Sequence, residues 1–137
     1  MTGDNVRSNV ADEIRLAQSA LKAAEALLDL GLAPDAASRT YYAALHAARA
    51  LLFSLGLEIS SHRGVRTMIS RHFVQTGALA PEHSKELGQL ESLRTAGDYD
   101  SAFALGVEEV RPEVEKAHRF VTAAVAILKK TGSLTLP

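Results

Sequence analysis

The chain of 137 residues has no cysteine, few aromatic side chains (5%) and no long uninterrupted apolar run. Without cysteine it can form neither a disulfide framework nor a thiolate nucleophile, and it offers no sulfur ligand to zinc or iron. Charged residues interrupt every apolar stretch before the roughly 18 residues needed to span a bilayer. The N-terminal residues carry no apolar signal segment. The sequence therefore predicts a soluble, cytoplasmic protein that does not contact a membrane.

An excess of positive charge and the common enzyme motifs are also absent. The 15 Lys and Arg and the 16 Asp and Glu give a formal net charge of −1, so any contact with nucleic acid must be local. There is no glycine-rich phosphate loop, no G-x-S-x-G turn, and no clustered histidine spacing for zinc. We expect one domain over residues 1–137, without a metal ion or other cofactor.

Glycines divide the chain into five helix-forming segments. Five of them follow such a segment, where a left-handed residue commonly ends a helix: Gly31, Gly56, Gly77, Gly97 and Gly132. Pro34 and Pro81 each come shortly after one of these glycines and fit the first turn of the next helix, where a missing N–H costs little. No alternating strand pattern occurs, so the sequence predicts helices only.

The spacing of apolar residues predicts how these helices pack. Apolar residues recur at intervals of 3 and 4 from Val10 to Leu28 and again from Val107 to Leu128. The segment over 34–55 is rich in alanine, so neighbouring helices can approach it closely. Shorter helices are predicted over 61–76 and 81–96. We predict an all-α fold, an antiparallel up-and-down bundle of four to five helices, with the first and last helices alongside the second.

The second helix also carries a stripe of polar and aromatic side chains. At 100° per residue, one strip about 80° wide contains Asp35, Arg39, Tyr42, His46, Arg49 and Phe53. Arg39 and His46 lie seven residues apart, about 10 Å along the axis. Arg supplies a permanent charge and a planar fork for phosphoryl oxygens, and His exchanges protons near neutral pH. This pair suits metal-free cleavage of RNA by its own 2′-hydroxyl.

The same stripe admits a structural interpretation. Other Arg and His pairs at similar spacing occur in the chain, so the spacing alone has little specificity. In the structural alternative, Asp35 binds Arg39 one turn away, and His46 hydrogen-bonds to a neighbouring helix within a buried polar network.

A basic region occupies the third predicted helix. No acidic residue occurs from Ile59 to Pro81, whereas the region contains His62, Arg63, Arg66, Arg71 and His72. It could guide an RNA backbone, bind an acidic partner, or form an ordinary solvated helix face. No series of aromatic residues accompanies it, so a stacking platform for single strands is not expected.

Four ordered blocks of the sequence resemble the HEPN-domain family. The first is SRTYYAALHAARALL, from Ser38 to Leu52. The others are SHRGV at 61–65, HFVQTG at 72–77, and Leu93-Arg94 with Asp98-Tyr99. Together the blocks span about 36–100, and small stand-alone HEPN proteins show the same order. The resemblance implies a bundle of four or five helices and homodimers.

The resemblance also implies an activity. Many HEPN proteins are ribonuclease toxins paired with a nucleotidyltransferase-type antitoxin, and their catalytic motif is Arg, four to six residues, then His. Arg39 and His46 match it with six intervening residues. In the best-known ribonuclease members the motif lies in a later helix, where this chain has Arg94, Asp98 and Tyr99 and no adjoining histidine. The alternatives are a non-catalytic HEPN module that binds a nucleotide or a nucleotidyltransferase partner, and a purely structural helical homodimer.

These hypotheses assign roles to particular residues. Arg39 and His46 are the predicted catalytic pair, with RNA as the substrate. The predicted substrate-binding residues are Tyr42, Arg49, His62, Arg63, Arg66, Arg94, Asp98 and Tyr99. In a structural alternative, Arg94 and Asp98 instead form a pair that fixes a turn after Gly97. We expect a homodimer, both from the resemblance and because the second helix is apolar on more sides than one small bundle covers.

Overall fold

The structure, a computed structural model, describes residues 3–99 and 105–135. Within these ranges the chain forms α-helices, one π-helical turn and no strand. The elements are α1 (Gly3–Asp29), α2 (Ala33–Phe53), α3 (His62–Ile69), the π-turn (Ser70–Val74), α4 (Pro81–Tyr99) and α5 (Val107–Lys130). The predicted all-α bundle is confirmed. No described helix combines the length and apolar character needed to cross a membrane.

Helix α2 is the centre of the bundle. It packs against α1, α3, α4 and α5, and α1 also packs against α5. The apolar seams of α1 and α5 are buried from Val10 to Leu28 and from Val110 to Leu128. The prediction that the first and last helices lie alongside the second is therefore confirmed.

The alanines of α2 are fully covered within a single copy of the chain. Those without exposed surface are Ala36, Ala37, Ala43, Ala44, Ala47, Ala48 and Ala50. Small side chains let several helices approach α2 on different sides, and together these helices leave no alanine-rich surface for a second copy. The surface argument for a homodimer is therefore wrong. The homodimer itself stays a prediction from the family resemblance.

Four of the five predicted helix-ending glycines adopt positive φ angles: Gly31, Gly56, Gly77 and Gly132. The prediction for Gly97 is wrong, because α4 continues through it to Tyr99. A glycine inside a helix costs only about 1 kcal/mol relative to alanine, which packing of α4 against α2 can offset. Because the helix continues past Gly97, the structural alternative in which Arg94 and Asp98 fix a turn directly after Gly97 is also wrong.

The third predicted helix is not one regular α-helix. After Ile69 the chain widens into the π-turn, in which the Gln75 N–H donates to the Ser70 carbonyl at 2.9 Å, five residues back. Ile69 and Phe73 are both buried on the inner side. The wide turn leaves both residues directed at the core, as a regular helix would, and it changes which side chains meet on the outer side.

Candidate functional site on helix α2

His46 lies on the polar stripe of α2, and a carboxylate of α1 holds its ring. Its Nδ1 is 2.6 Å from Oε2 of Glu13. The side chains are 23% and 16% exposed, so the pair is largely shielded while the histidine keeps some access to solvent. When Nδ1 carries the proton shared with the carboxylate, Nε2 carries the lone pair. The contact therefore fixes the ring and prepares Nε2 to accept a proton.

Two arginines lie over the ring of Tyr42, one turn from His46. The Cζ atom of Arg39 is 5.4 Å from the ring centroid, and that of Arg94 is 5.7 Å away. Arg94 Nη1 also lies 3.4 Å from the Tyr42 hydroxyl. Such cation–π contacts hold each guanidinium with roughly 0.5 to 2 kcal/mol. Helices α2 and α4 thus place two permanent positive charges beside one phenol.

A buried tyrosine extends the cluster toward α3. Tyr41 is 1% exposed, with Arg94 Cζ 5.4 Å from its ring centroid and the His62 ring centroid also 5.4 Å away. Burial, followed by the negative charge of Glu91, raises the pKa of Tyr41 to about 12. The phenol therefore remains neutral at physiological pH.

Glu91 of α4 joins this cluster to the basic helix. Its Oε2 is 3.2 Å from Arg66 Nε, and its Oε1 is 3.7 Å from His62 Nδ1. One carboxylate thus lies within ion-pair distance of two predicted substrate-binding residues. Arg63 is exposed one turn before Arg66 and lines a cavity with it.

The structure brings together some of the predicted residues and separates others. Arg39, Tyr42 and Arg94 form one group, and His62 and Arg66 share Glu91. Arg49 lies half-buried on the same stripe. Asp98 and Tyr99 belong to α4, but their side chains lie outside the described residues.

Arg39 and His46 share a helix face without forming a hydrogen bond in the described chain. The structural alternative is right for His46, which binds a neighbouring helix. It is wrong for Asp35, because no ion pair joins Asp35 to Arg39 among the described residues. Arg39 instead lies over Tyr42. Arg39 and His46 therefore share the stripe while each keeps a separate protein contact, with Tyr42 and Glu13 respectively.

Two residues of the site were missed by sequence reasoning, Glu13 and Glu91. Each pairs with a residue far along the chain, so no local spacing indicates the contact. The one available signal for Glu13 is that an acidic residue directly precedes Ile14 of the buried seam. For metal binding, the described residues contain no group of three or more candidate ligands.

A model of the HEPN domain family matches residues 10–130, so the chain belongs to the HEPN family. The family resemblance of the sequence is confirmed. The family match and the helical bundle agree that this is a HEPN-domain protein.

Curated relatives extend over most of the chain. A UPF0332 protein of Gloeobacter violaceus is 33% identical over 113 residues, which cover 82% of this chain and 90% of the relative. A protein of Methanocaldococcus jannaschii named "Putative toxin MJ0605" is 30% identical over 126 residues, 92% of this chain and 93% of that protein. The relatives of this chain thus include UPF0332 proteins and a protein that carries the name "Putative toxin".

A solved structure supports the fold. TT1696 from Thermus thermophilus superposes with a TM-score of 0.73 at 15% identity, covering 85% of this chain and 96% of the other. At this identity the similarity concerns the fold alone.

Proposed function

We propose that this protein is the toxin of a two-gene toxin–antitoxin system and cleaves RNA in the cytoplasm without a metal ion. The observation that carries the proposal is His46, whose Nδ1 is held by Glu13 on the helix face that also presents Arg39. A histidine oriented by a carboxylate beside a guanidinium is the equipment that phosphodiester cleavage by a neighbouring hydroxyl requires.

The reaction begins with proton transfer to His46. Its Nε2 accepts the proton of the 2′-hydroxyl, and the 2′-oxygen attacks the adjacent phosphorus. Charge builds on the phosphoryl oxygens, where Arg39 and Arg94 supply fixed positive charge. The bond from phosphorus to the 5′-oxygen then breaks, which leaves a 2′,3′-cyclic phosphate. Cation–π contacts with the Tyr42 ring hold both guanidinium groups.

The departing 5′-oxygen must receive a proton from a second acidic group, and a second copy of the chain in a dimer can supply one. One imidazole cannot accept and deliver protons in the same step. The HEPN resemblance implies homodimers, so a second copy of the chain would supply a protonated histidine at the same position. Arg49, half-buried on the stripe, completes the substrate-binding face.

The relatives named as toxins suggest an antitoxin as the partner. From the family resemblance we propose that it is of the nucleotidyltransferase type. Covering the polar stripe of α2 would block both RNA and the second copy. A nucleotidyltransferase reading frame beside the gene, and inhibition by its purified product, would support this part of the proposal.

The test is cleavage of a generic RNA in the presence of a chelator, which silences metal-dependent nucleases. We expect products with 2′,3′-cyclic phosphate ends from the wild-type protein. Arg39→Lys should lose most of the activity, because an ammonium cannot reproduce the planar fork. Chelator-resistant cleavage that survives intact in His46→Ala would overturn the assignment.

A second candidate function is a non-catalytic module that binds a nucleotide or the antitoxin through the same stripe. The observation that favours it is the His46–Glu13 contact itself, which is also what a structural network would form. Under this alternative, His46→Ala lowers stability and the wild-type protein has no cleavage activity to lose.

A further inference from the structure

A cavity lies on the outer side of α3 and the π-turn, away from the stripe of α2. Its volume is about 410 Å³, and it is lined by Arg63, Arg66, Thr67, Ser70, Arg71 and Gln75. None of these side chains is apolar, and none is acidic. Three guanidinium groups, the Ser70 hydroxyl and the Gln75 amide therefore line one surface, whereas the Thr67 hydroxyl donates to the Arg63 carbonyl at 3.0 Å.

The π-turn is the reason that Gln75 belongs to this surface. In a regular α-helix, residues five apart point about 140° away from each other. In a π-helix the turn closes over five residues, as the hydrogen bond from Gln75 N–H to the Ser70 carbonyl shows. Gln75 consequently lies above Ser70 and faces the cavity with it. Interruptions of this kind occur frequently at functional sites.

Arg66 is held in place from the other side by α4. Glu91 Oε2 forms an ion pair with its Nε at 3.2 Å, without the geometry of a hydrogen bond. Gly88 leaves room for the guanidinium, since a Cβ at that position would lie 3.2 Å from Nη1. The ion pair and this space favour one position of the Arg66 guanidinium before any ligand arrives. Preorganisation of this kind reduces the entropy lost on binding.

We propose that this cavity binds a backbone phosphate of the RNA substrate, remote from the bond that is cleaved. Guanidinium forks with hydroxyl and amide donors are the groups that proteins direct at phosphodiester oxygens. An acidic protein segment is a poorer match, because protein interfaces bury apolar surface at their centre and this cavity has no apolar side chain. The proposal rests on the proposed function, in which RNA is the substrate.

A series of contacts connects the cavity to the stripe of α2. Arg66 and His62 share Glu91, His62 lies against Tyr41, and Arg94 lies over both Tyr41 and Tyr42. The series includes the acidic Glu91 and the buried Tyr41. It therefore couples the position of Arg66 to the stripe through the interior of the fold, and the cavity itself remains a separate basic surface.

The experiment measures binding of a labelled 2′-O-methyl RNA, which has no 2′-hydroxyl and cannot be cleaved. The test variant is Arg63→Gln with Arg71→Gln, both exposed residues. We expect roughly tenfold weaker binding, and we expect the slope of log affinity against log salt concentration to fall by about 0.7, the value for one single-strand phosphate contact. The matched control, Arg119→Gln with Lys130→Gln on exposed α5 positions, removes the same charge and should bind within about twofold of wild type.

Unchanged affinity and salt dependence in the Arg63 and Arg71 variant would overturn the proposal. Competition by polyglutamate as effective as that of unlabelled RNA would indicate an acidic protein ligand and would also overturn it. Inorganic phosphate competing equally well at matched phosphate concentration would exclude an RNA chain as the specific ligand.

The experiment can contradict the proposed RNA-binding cavity without contradicting the proposed cleavage activity, and the reverse. Loss of 2′-O-methyl RNA binding in the Arg63 and Arg71 variant supports the cavity even if His46→Ala leaves cleavage intact. Conversely, His46→Ala should still bind this RNA, because the cavity is untouched.

Discussion

Two histidines of this protein make the same contact with α1, and their surroundings differ. His46 of α2 binds Glu13 at 2.6 Å, with side chains 23% and 16% exposed. His118 of α5 binds Glu25 at 2.5 Å, with side chains 42% and 53% exposed. Arg39 and Arg94 lie over the Tyr42 ring, one helical turn from the first pair. The groove beside the second pair is lined by Lys22 and Lys129. Positive charge alone therefore does not distinguish the two contacts; stronger shielding and guanidinium groups held over a tyrosine ring do.

The largest expected difference between the pairs is in RNA cleavage. His46→Gln should lower the rate by about 10²- to 10⁴-fold, the usual contribution of general acid–base catalysis. His118→Gln makes the same chemical change at the other contact with α1 and should stay within about twofold. The measurement is the initial rate on one RNA with chelator present. Equal losses in both variants would show that the two pairs do not differ in function.

Substitution of Glu13 should also slow RNA cleavage more than substitution of Glu25, but by less than the loss expected for His46. Glu13→Gln keeps the shape of the side chain but removes the charge that orients His46, so we expect kcat to fall by at least about tenfold. KM should change little, because Glu13 contacts His46 rather than RNA. Glu25→Gln is the control and should leave both constants unchanged. A rise in KM alone would assign Glu13 to binding instead of to positioning.

The smallest expected difference is in stability. His46→Ala leaves Glu13 largely shielded and without its partner, which should lower the free energy of unfolding by about 1 to 3 kcal/mol. His118→Ala breaks an exposed pair, for which about 0 to 1 kcal/mol is typical. Urea denaturation followed by circular dichroism measures both. An equal loss of unfolding free energy in both variants would contradict the idea that the difference in shielding makes the His46–Glu13 pair more stabilising than the His118–Glu25 pair.

Helix positions were largely predictable, because each rested on local patterns. Apolar intervals of 3 and 4 located α1 and α5, and Pro34 and Pro81 lie in the first turns of α2 and α4. Gly97 misled the prediction, since a glycine permits a helix end without requiring one. The π-turn was missed because one wider turn alters the apolar pattern too little to be seen.

The candidate site was only half predictable. The stripe on α2 follows from helical periodicity, which places Arg39, Tyr42 and His46 on one face whatever surrounds it. Their partners Glu13 and Glu91 come from other helices, and no spacing in the sequence relates them to His46 or Arg66. The same holds for Arg94, whose position over two tyrosines depends on the packing of α4 against α2.

By itself the sequence determined the helices, the central place of α2 and the side chains that share each helix face, because these depend on residues a few positions apart. Tertiary packing decided which histidine is shielded, which carboxylate holds it, and that the alanines of α2 are covered within one copy. Those outcomes depend on the relative placement of whole helices, and that placement is set by the total fit of the core rather than by any local pattern.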